Sequence, residues 1–416
     1  MPMTSEIFVL GAGIVGVSVA LHLQQRGRDV VLVDRNAPGE GASFGNAGLI
    51  ERASVIPYAI PRDWRALLGH ASNRNAAVRY DPAFLPRIAP WLLGYWRASH
   101  PDRLATIAGE LLPLIEACLG EHERLVEAAG LSHLLRRDGW IEVVRSAATL
   151  DEAGRRSSEM RSGYGLVSDV LDRQALARLE PALLPAAVGG IHWRDPFTVS
   201  DPGALTKGYA TLFEMRGGTI RREAVSRIAP DRAGWRIVTE NASHRSGAVV
   251  VALGVHSNTL LSPLGYRVPL VGKRGYHMHF RPEGEATLRH AVLDEEIGYV
   301  MSPMAAGIRL TTGVELAAPD APANRVQLDR AERRAREIFP LGKPVEDKPW
   351  IGLRPATPDM KPVIGPARRH PGLWLAFGHA HHGLTLGPAT GRLLAELMTG
   401  ETPFADPSPF DIARFL

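Results

Sequence analysis

One cysteine among 416 residues, Cys118, is the scarcest feature of this chain. A single thiol excludes an internal disulfide, an iron–sulfur cluster and a cysteine-ligated zinc. It lies in a leucine-rich helical stretch, Leu111 to Leu125, where a buried structural thiol is expected. Long apolar runs are missing as well. None approaches the roughly 20 residues that a membrane-spanning helix needs. The chain enters a strand pattern within a few residues of Met1, which leaves no room for a cleavable signal. The expected location is therefore cytoplasmic, or at most peripheral on the inner face of the cytoplasmic membrane. Charge of one sign is scarce: the formal net charge is only +4, and no basic block is interleaved with aromatics. A nucleic-acid partner is not expected. There is no internal repeat and no low-complexity tract. What remains is ordinary globular composition, 45% hydrophobic, with length enough for two domains with cores of their own.

Two glycine-rich elements stand at opposite ends. At the first, the apolar run Ile7-Phe8-Val9-Leu10 leads into Gly11-Ala12-Gly13-Ile14-Val15-Gly16. The run suits a central parallel strand. Gly11 permits a tight turn, Gly13 lets the backbone approach a phosphate, and Gly16 lets helix and strand pack closely. A helix pattern begins at Ile14 and Val15 and stops near Gly27. Its N-terminus offers free N–H groups and the positive end of a dipole to a pyrophosphate. A second strand, Val30 to Val33, ends at Asp34, placed to take ribose hydroxyls. An acid there argues against a 2′-phosphate, although Arg35 follows it. A glycine-rich loop then runs through Ser43, Asn46, Ala47 and Gly48. At the other end is Gly378-His379-Ala380-His381-His382-Gly383-Leu384-Thr385, read as a backbone cradle for a redox ring ahead of the last helix. The three histidines invite a metal reading, but no carboxylate stands beside them in sequence, and no metal site is expected.

Between these ends, residues from about Val55 to Glu127 read as helical and proline-rich. The stretch 82–96 is unusually aromatic. It reads as helices packed on a core, or else as a face touching a membrane or a partner subunit. Strands follow at Gly139–Val144, Gly190–Trp193 and Thr219–Val225. In the last of these, Val225 is expected to end a third parallel strand. Ala248–Gly254 is another strand, and Gly254 ends it in a second close backbone approach. Strands then alternate from Pro269 to Thr312. The expected fold is α/β: a Rossmann-like dinucleotide-binding domain (1–52, 201–262, 350–416) interleaved with an α+β substrate-binding domain (53–200, 263–349). The latter is built on a mostly antiparallel sheet, and the ligand lies between the two.

These motifs, with Gly352-Leu353-Arg354-Pro355-Ala356-Thr357-Pro358-Asp359 and Pro362-Val363-Ile364-Gly365, resemble the glycine oxidase/D-amino acid oxidase superfamily of FAD enzymes. Within it, the chain is similar to the small-subunit type of bacterial D-amino acid dehydrogenase. The resemblance spans nearly the whole chain in order. It implies FAD, held without a covalent link because no cysteine lies near the C-terminal turn. It implies oxidation of an amino acid at Cα by hydride transfer to the flavin. Arg354 would hold the α-carboxylate through a bidentate fork. Tyr299, Tyr276 and, more weakly, Arg274 are further candidates for that carboxylate. No protein base is expected, since the amine loses its proton before or during transfer. The electron acceptor would be a quinone or another carrier, or oxygen. Two departures stand out. Ala380 occupies a place where the family commonly has glycine. Leu49-Ile50-Glu51-Arg52 is unlike the family's loop and points to a restricted substrate, such as the cyclic D-hydroxyproline. The alternatives are a sarcosine- or glycine-type amine oxidase and the flavin-bearing subunit of a hetero-oligomeric dehydrogenase.

Overall fold

Ile7–Leu10 has neighbours on both edges and is buried throughout, which is why it is apolar at every position. The computed structural model in which this is seen describes residues 6–63, 69, 73, 76–232 and 234–416. The strand is central in a six-stranded sheet with the order Thr219–Arg222, Val30–Asp34, Ile7–Leu10, Ala248–Val251, Leu373–Phe377, Val363–Pro366. All pairs are parallel except the last. The expected third parallel strand is thus Thr219–Arg222, which stops three residues short of Val225. Val225 instead opens an antiparallel strand, Val225–Asp231, in a separate three-stranded sheet. The polar run Arg221-Arg222-Glu223 interrupts the apolar pattern at the point where the chain leaves the parallel sheet.

The second sheet is large and mostly antiparallel, with the long strand Val271–Pro282 as its spine. This strand pairs with Gly307–Thr312 and, in part, with Trp350–Ala356. Tyr299–Met304 lies beyond Gly307–Thr312. One face of the sheet packs a core that includes Met278, Phe280, Tyr299, Met301 and Leu310 against the helix Val326–Ala335. Trp350–Ala356 belongs to this sheet, so the boundary expected at residue 350 cuts through the sheet instead of following its last strand. Among its described residues the 55–127 segment holds a 3-10 turn, Leu85–Ile88, two α-helices, Ala89–Ala98 and Pro101–Ala128, and a short strand, Val78–Tyr80. Cys118 is buried within the second of these helices.

The chain's end returns to its beginning. Leu373–Phe377 joins the first sheet, and the last helix, Gly383–Thr399, lies along the first helix, Ile14–Gln25. A Cβ on Gly387 would press on Ile14, and one on Gly391 would press on the Ser18 backbone. These contacts set the closeness of the pair. His122, from Pro101–Ala128, pins the start of the last helix: its Nε2 donates to the Leu384 carbonyl at 2.8 Å while Nδ1 meets the Tyr209 hydroxyl at 3.1 Å. Burial lowers its pKa to about 4, and that of His379, in the turn before the helix, to about 3. Below the usual histidine value of 6.5, the unfolded chain binds protons at these positions that the native fold does not. Native stability is therefore expected to fall as pH drops from 6.5 toward 4, by up to about 1.4 kcal/mol per pH unit for each such histidine. Denaturant midpoints measured across that range would show it; a flat profile would contradict it.

Candidate active site

The N-terminal end of the site is shaped by missing side chains. A Cβ on Gly16 would lie 1.8 Å from the Gly11 carbonyl oxygen, so the helix approaches the strand as only glycine allows. Gly11 has φ +111°, and a Cβ there would strike the Ala252 carbonyl. Gly13 is open by contrast: its Cβ would meet only the Ser43 hydroxyl, at 3.5 Å. That opening at a helix N-terminus suits a pyrophosphate. Ser43 lines it, accepting from the Ile14 N–H at 3.0 Å. Asp34 accepts from the Ala12 N–H at 2.7 Å and from the Asn36 N–H at 2.9 Å, which fixes the carboxylate at the strand's end. Arg35 is exposed beside it. Val15 is half-buried against the first helix's core, and Gly254 has φ +56° at the end of Ala248–Val251. These residues fit a dinucleotide. Asp34→Ala is expected to weaken dinucleotide retention about tenfold, since it removes a carboxylate that two backbone N–H groups hold in place; titration of apoprotein would read it.

The loop after Asp34 is clamped from the large sheet. Arg309 donates to the carbonyls of Phe44 (2.9 Å) and Asn46 (2.6 Å), and Ser302 donates to that of Ala47 (2.8 Å). Asn46 accepts from the Gly48 N–H at 2.8 Å. Gly48 has φ +77° and no room for a Cβ against the Val199 carbonyl. The Trp350 ring lies where a Gly45 Cβ would be. Small residues are thus required in this loop because side chains and backbone of other segments fill the space.

The C-terminal turn approaches from the other side. Gly378 has φ +84° and Ala380 φ +50°. The second value explains why glycine suits that place. Ala380 N–H donates to the Pro355 carbonyl, tying the turn to the strand of Arg354. The His379 ring turns away from the opening toward Thr390 (2.9 Å), so only its backbone is available to a ligand. Gly383, Leu384 and Thr385 form the first turn of the last helix, and the Thr385 hydroxyl accepts from the Glu51 N–H at 3.0 Å.

Strand parity sorts the expected carboxylate ligands. Lys273 pairs with Arg354 and Gly275 with Gly352, so Lys273 and Arg354 share one face of the sheet. The Arg354 guanidinium lies over Gly275 and donates to the carbonyls of Gly313 (2.8 Å) and Thr312 (3.2 Å). Arg274 and Tyr276 alternate with Lys273 and face the other way, which corrects their assignment to the site. Arg274 is ion-paired to Glu315 and donates to the carbonyls of Ala318, Ala321 and Pro322. The Tyr276 hydroxyl is bonded to Glu315 and Arg274. This is a buried structural knot. Tyr299 is also corrected: it sits in the core of the opposite face, beside Arg145 and Asp294.

Lys273 and Tyr58, not singled out in the sequence, stand on the site's side. Lys273 is buried, with its ammonium 4.3 Å from the Tyr95 ring, 5.3 Å from that of Trp91 and 3.6 Å from the Met360 sulfur. Loss of water and repulsion by Arg354 lower its pKa to about 7. The aromatic stretch thus serves largely as a wall here, with Trp91 donating to the Ala356 carbonyl, while Leu93 and Trp96 remain exposed. Tyr58 and His381 rings lie 4.8 Å apart, and those of His381 and His382 lie 3.8 Å apart. The histidines do have a carboxylate beside them: the nitrogens of His381 and His382 and a carboxylate oxygen of Glu51 all fall within 4.8 Å of one another. Folding supplies the acid that the local sequence lacks, from a loop some 330 residues away in the chain. Alternation along a strand could have flagged Lys273; the 49–52 loop stood out in the sequence, but nothing local could have placed Glu51 beside the histidines.

A family model described as FAD dependent oxidoreductase (DAO) matches residues 6–397. A D-amino-acid oxidase of Bradyrhizobium diazoefficiens is 30% identical over 431 residues, covering all of both chains. A D-amino acid dehydrogenase of Chromohalobacter salexigens is 30% identical over 420 residues, 99% of each. Among solved structures, glycine oxidase from Geobacillus kaustophilus superimposes with a TM-score of 0.75 at 22% identity, over 99% of this chain and 100% of that one. L-Proline dehydrogenase from P. horikoshii gives 0.73 at 18%, over 100% and 98%. No helix among the described residues is long and apolar enough to cross a membrane.

Proposed function

The chain belongs to the DAO family of FAD-dependent oxidoreductases, and from that premise we propose that it oxidises a D-amino or cyclic imino acid at Cα. The product is an imine, which hydrolyses to a 2-oxo acid or stays cyclic. FAD, when bound, supplies the hydride acceptor. Gly11, Gly13, Ile14, Val15, Gly16 and Ser43 would line its pyrophosphate and Asp34 its ribose. Asn46, Ala47, Gly48, Gly254, Gly378 and the first turn of the last helix would surround the rest. The link is non-covalent, with Cys118 enclosed in a helix.

The observation on which the substrate class rests is the pair Arg354 and Lys273. Two cations stand side by side on one sheet face, and among the described residues no carboxylate is paired with either. Uncompensated buried charge is costly, and a substrate carboxylate would relieve it. Arg354 offers the fork, and Lys273 a second point of charge. Holding the carboxylate at two points leaves the Cα–H bond a single direction, which is how positioning lowers the barrier. One enantiomer should then react far faster. The names of the relatives favour D, and the electrons would pass on to a quinone or another carrier.

Anaerobic flavin reduction by paired D- and L-alanine, proline and hydroxyproline, with sarcosine and glycine alongside, tests this reading. Fast reduction by a D-enantiomer is expected. Equal rates for both hands, or reduction only by glycine derivatives, would overturn it. Lys273→Met should raise the substrate Kd about tenfold while changing the limiting reduction rate less. In the wild type, binding should weaken as pH rises through about 7, where Lys273 loses its proton. A Kd independent of pH across that range would remove Lys273 from the grip.

A further inference from the structure

We propose that Glu51 accepts the proton of the substrate's ammonium group, which gives the site a base as well as a carboxylate grip. The inference rests on the proposed amino or imino acid substrate. Its geometric basis is a cluster assembled from three segments. Glu51 follows the short strand Leu49–Ile50 and is held at its backbone by Thr385. His381 and His382 come from the turn before the last helix, and the carboxylate and both rings converge within 4.8 Å. His382 Nε2 is already taken, at 3.0 Å from the Ser54 hydroxyl. His381 Nε2 is buried with no hydrogen-bond partner, an unmet polar atom in the same cluster. The cluster adjoins the carboxylate grip: His381 feels the charges of Lys273 and Arg354, and Tyr58 those of Glu51 and Arg354. An α-amino acid carries its cation one carbon from its carboxylate, so a grip at Arg354 and Lys273 sets the ammonium toward this acid.

Among the described residues no ion pair occupies the Glu51 carboxylate, and its one side-chain hydrogen bond, from Ser54, leaves it lone pairs for that proton. From its own loop come Ser54, Tyr58 and Arg52. Arg52 is committed to the Tyr164 carbonyl (3.0 Å) and Glu116 (3.4 Å). The helix Pro101–Ala128 brings Cys118, whose thiol burial pushes up to about 12, so it stays neutral. The turn brings His381 and His382, both held neutral by burial. The sheet brings Lys273 and Arg354. Loss of water raises Glu51 itself to about 7, a value suited to taking a proton near neutrality. In the step, an N–H bond of the ammonium breaks and its electron pair stays on nitrogen. The proton bonds to a Glu51 oxygen. The freed lone pair then forms the C=N bond as the Cα hydrogen departs with its own electrons.

The test is the pH profile of the limiting flavin-reduction rate at saturating D-proline and D-alanine, in holoenzyme. The wild-type rate should rise with pH through about 7 and level off. Glu51→Gln should lose about a hundredfold near pH 8 and approach the wild-type rate near pH 10, where the substrate amine sheds its proton unaided. A merely structural loss would persist at every pH. If Glu51→Gln loses its flavin, Glu51→Asp serves: a rising limb moved to lower pH supports the proposal, and an unmoved one overturns it. Glu51→Gln with the wild-type profile would overturn the role of Glu51 alone, whereas a wild type reduced by no amino or imino acid would overturn the substrate reading. Loss of wild-type activity in EDTA, restored by Zn²⁺, would make the trio a metal site and overturn the proton role.

Discussion

Arg354→Ala is expected to lower kcat/KM by about a hundredfold or more while the flavin spectrum stays intact. The guanidinium spends part of its capacity on the Thr312 and Gly313 carbonyls, which orient it, and has no acid partner among the described residues. Burial already depresses its pKa, the mark of a charge short of solvation. Removing it takes away a charge-assisted fork worth about 3 kcal/mol, and every 1.4 kcal/mol is tenfold. Arg354→Lys should recover little, because a point charge cannot reproduce two parallel N–H donors. The flavin should remain, since Arg354 belongs to the large sheet and not to the strands that carry Gly13 and Asp34. Steady-state kinetics on a D-amino acid decides it: an alanine variant with near-normal kcat/KM would move the carboxylate grip elsewhere.

Gly16→Ala should be as damaging, by another route. The added methyl would sit 1.8 Å from the Gly11 carbonyl oxygen, with Ala252 behind it, and neither backbone can yield without parting helix from strand. Overpacking of this kind costs about 3 kcal/mol or more. The displaced helix N-terminus would also no longer meet the pyrophosphate. Protein recovered with little FAD and a melting temperature several degrees lower is expected. Gly120→Ala is the control. It lies inside the helix Pro101–Ala128 with open space at its Cβ, and alanine should stabilise it by about 0.5–1 kcal/mol. If Gly16→Ala kept its flavin and its melting temperature, close helix–strand packing would not be what this glycine provides.

What the order of residues determined by itself was local. The first strand, the glycine turn, the first helix and Asp34 follow one another within 34 residues, and each is specified by near neighbours through apolar run, glycine and terminal acid. The glycine turn ahead of the last helix and the buried thiol at 118 were legible for the same reason, and so was the α/β class with its antiparallel partner sheet. Tertiary structure alone decided the rest. Whether Arg274 or Lys273 stands on the face of Arg354 depends on the register of Val271–Pro282 against Trp350–Ala356, partners some 80 residues apart, and a single step of parity would exchange the two. Tyr299 is turned into the core for the same reason, by its pairing with Thr312. Val225 belongs to the three-stranded sheet through its pairing with Thr239, a partner that only the folded chain brings beside it. Glu51 met His381 and His382 only because the last helix packs along the first and brings its preceding turn beside the loop after Asp34. A carboxylate whose partners lie some 330 residues away leaves no local periodicity or spacing to read.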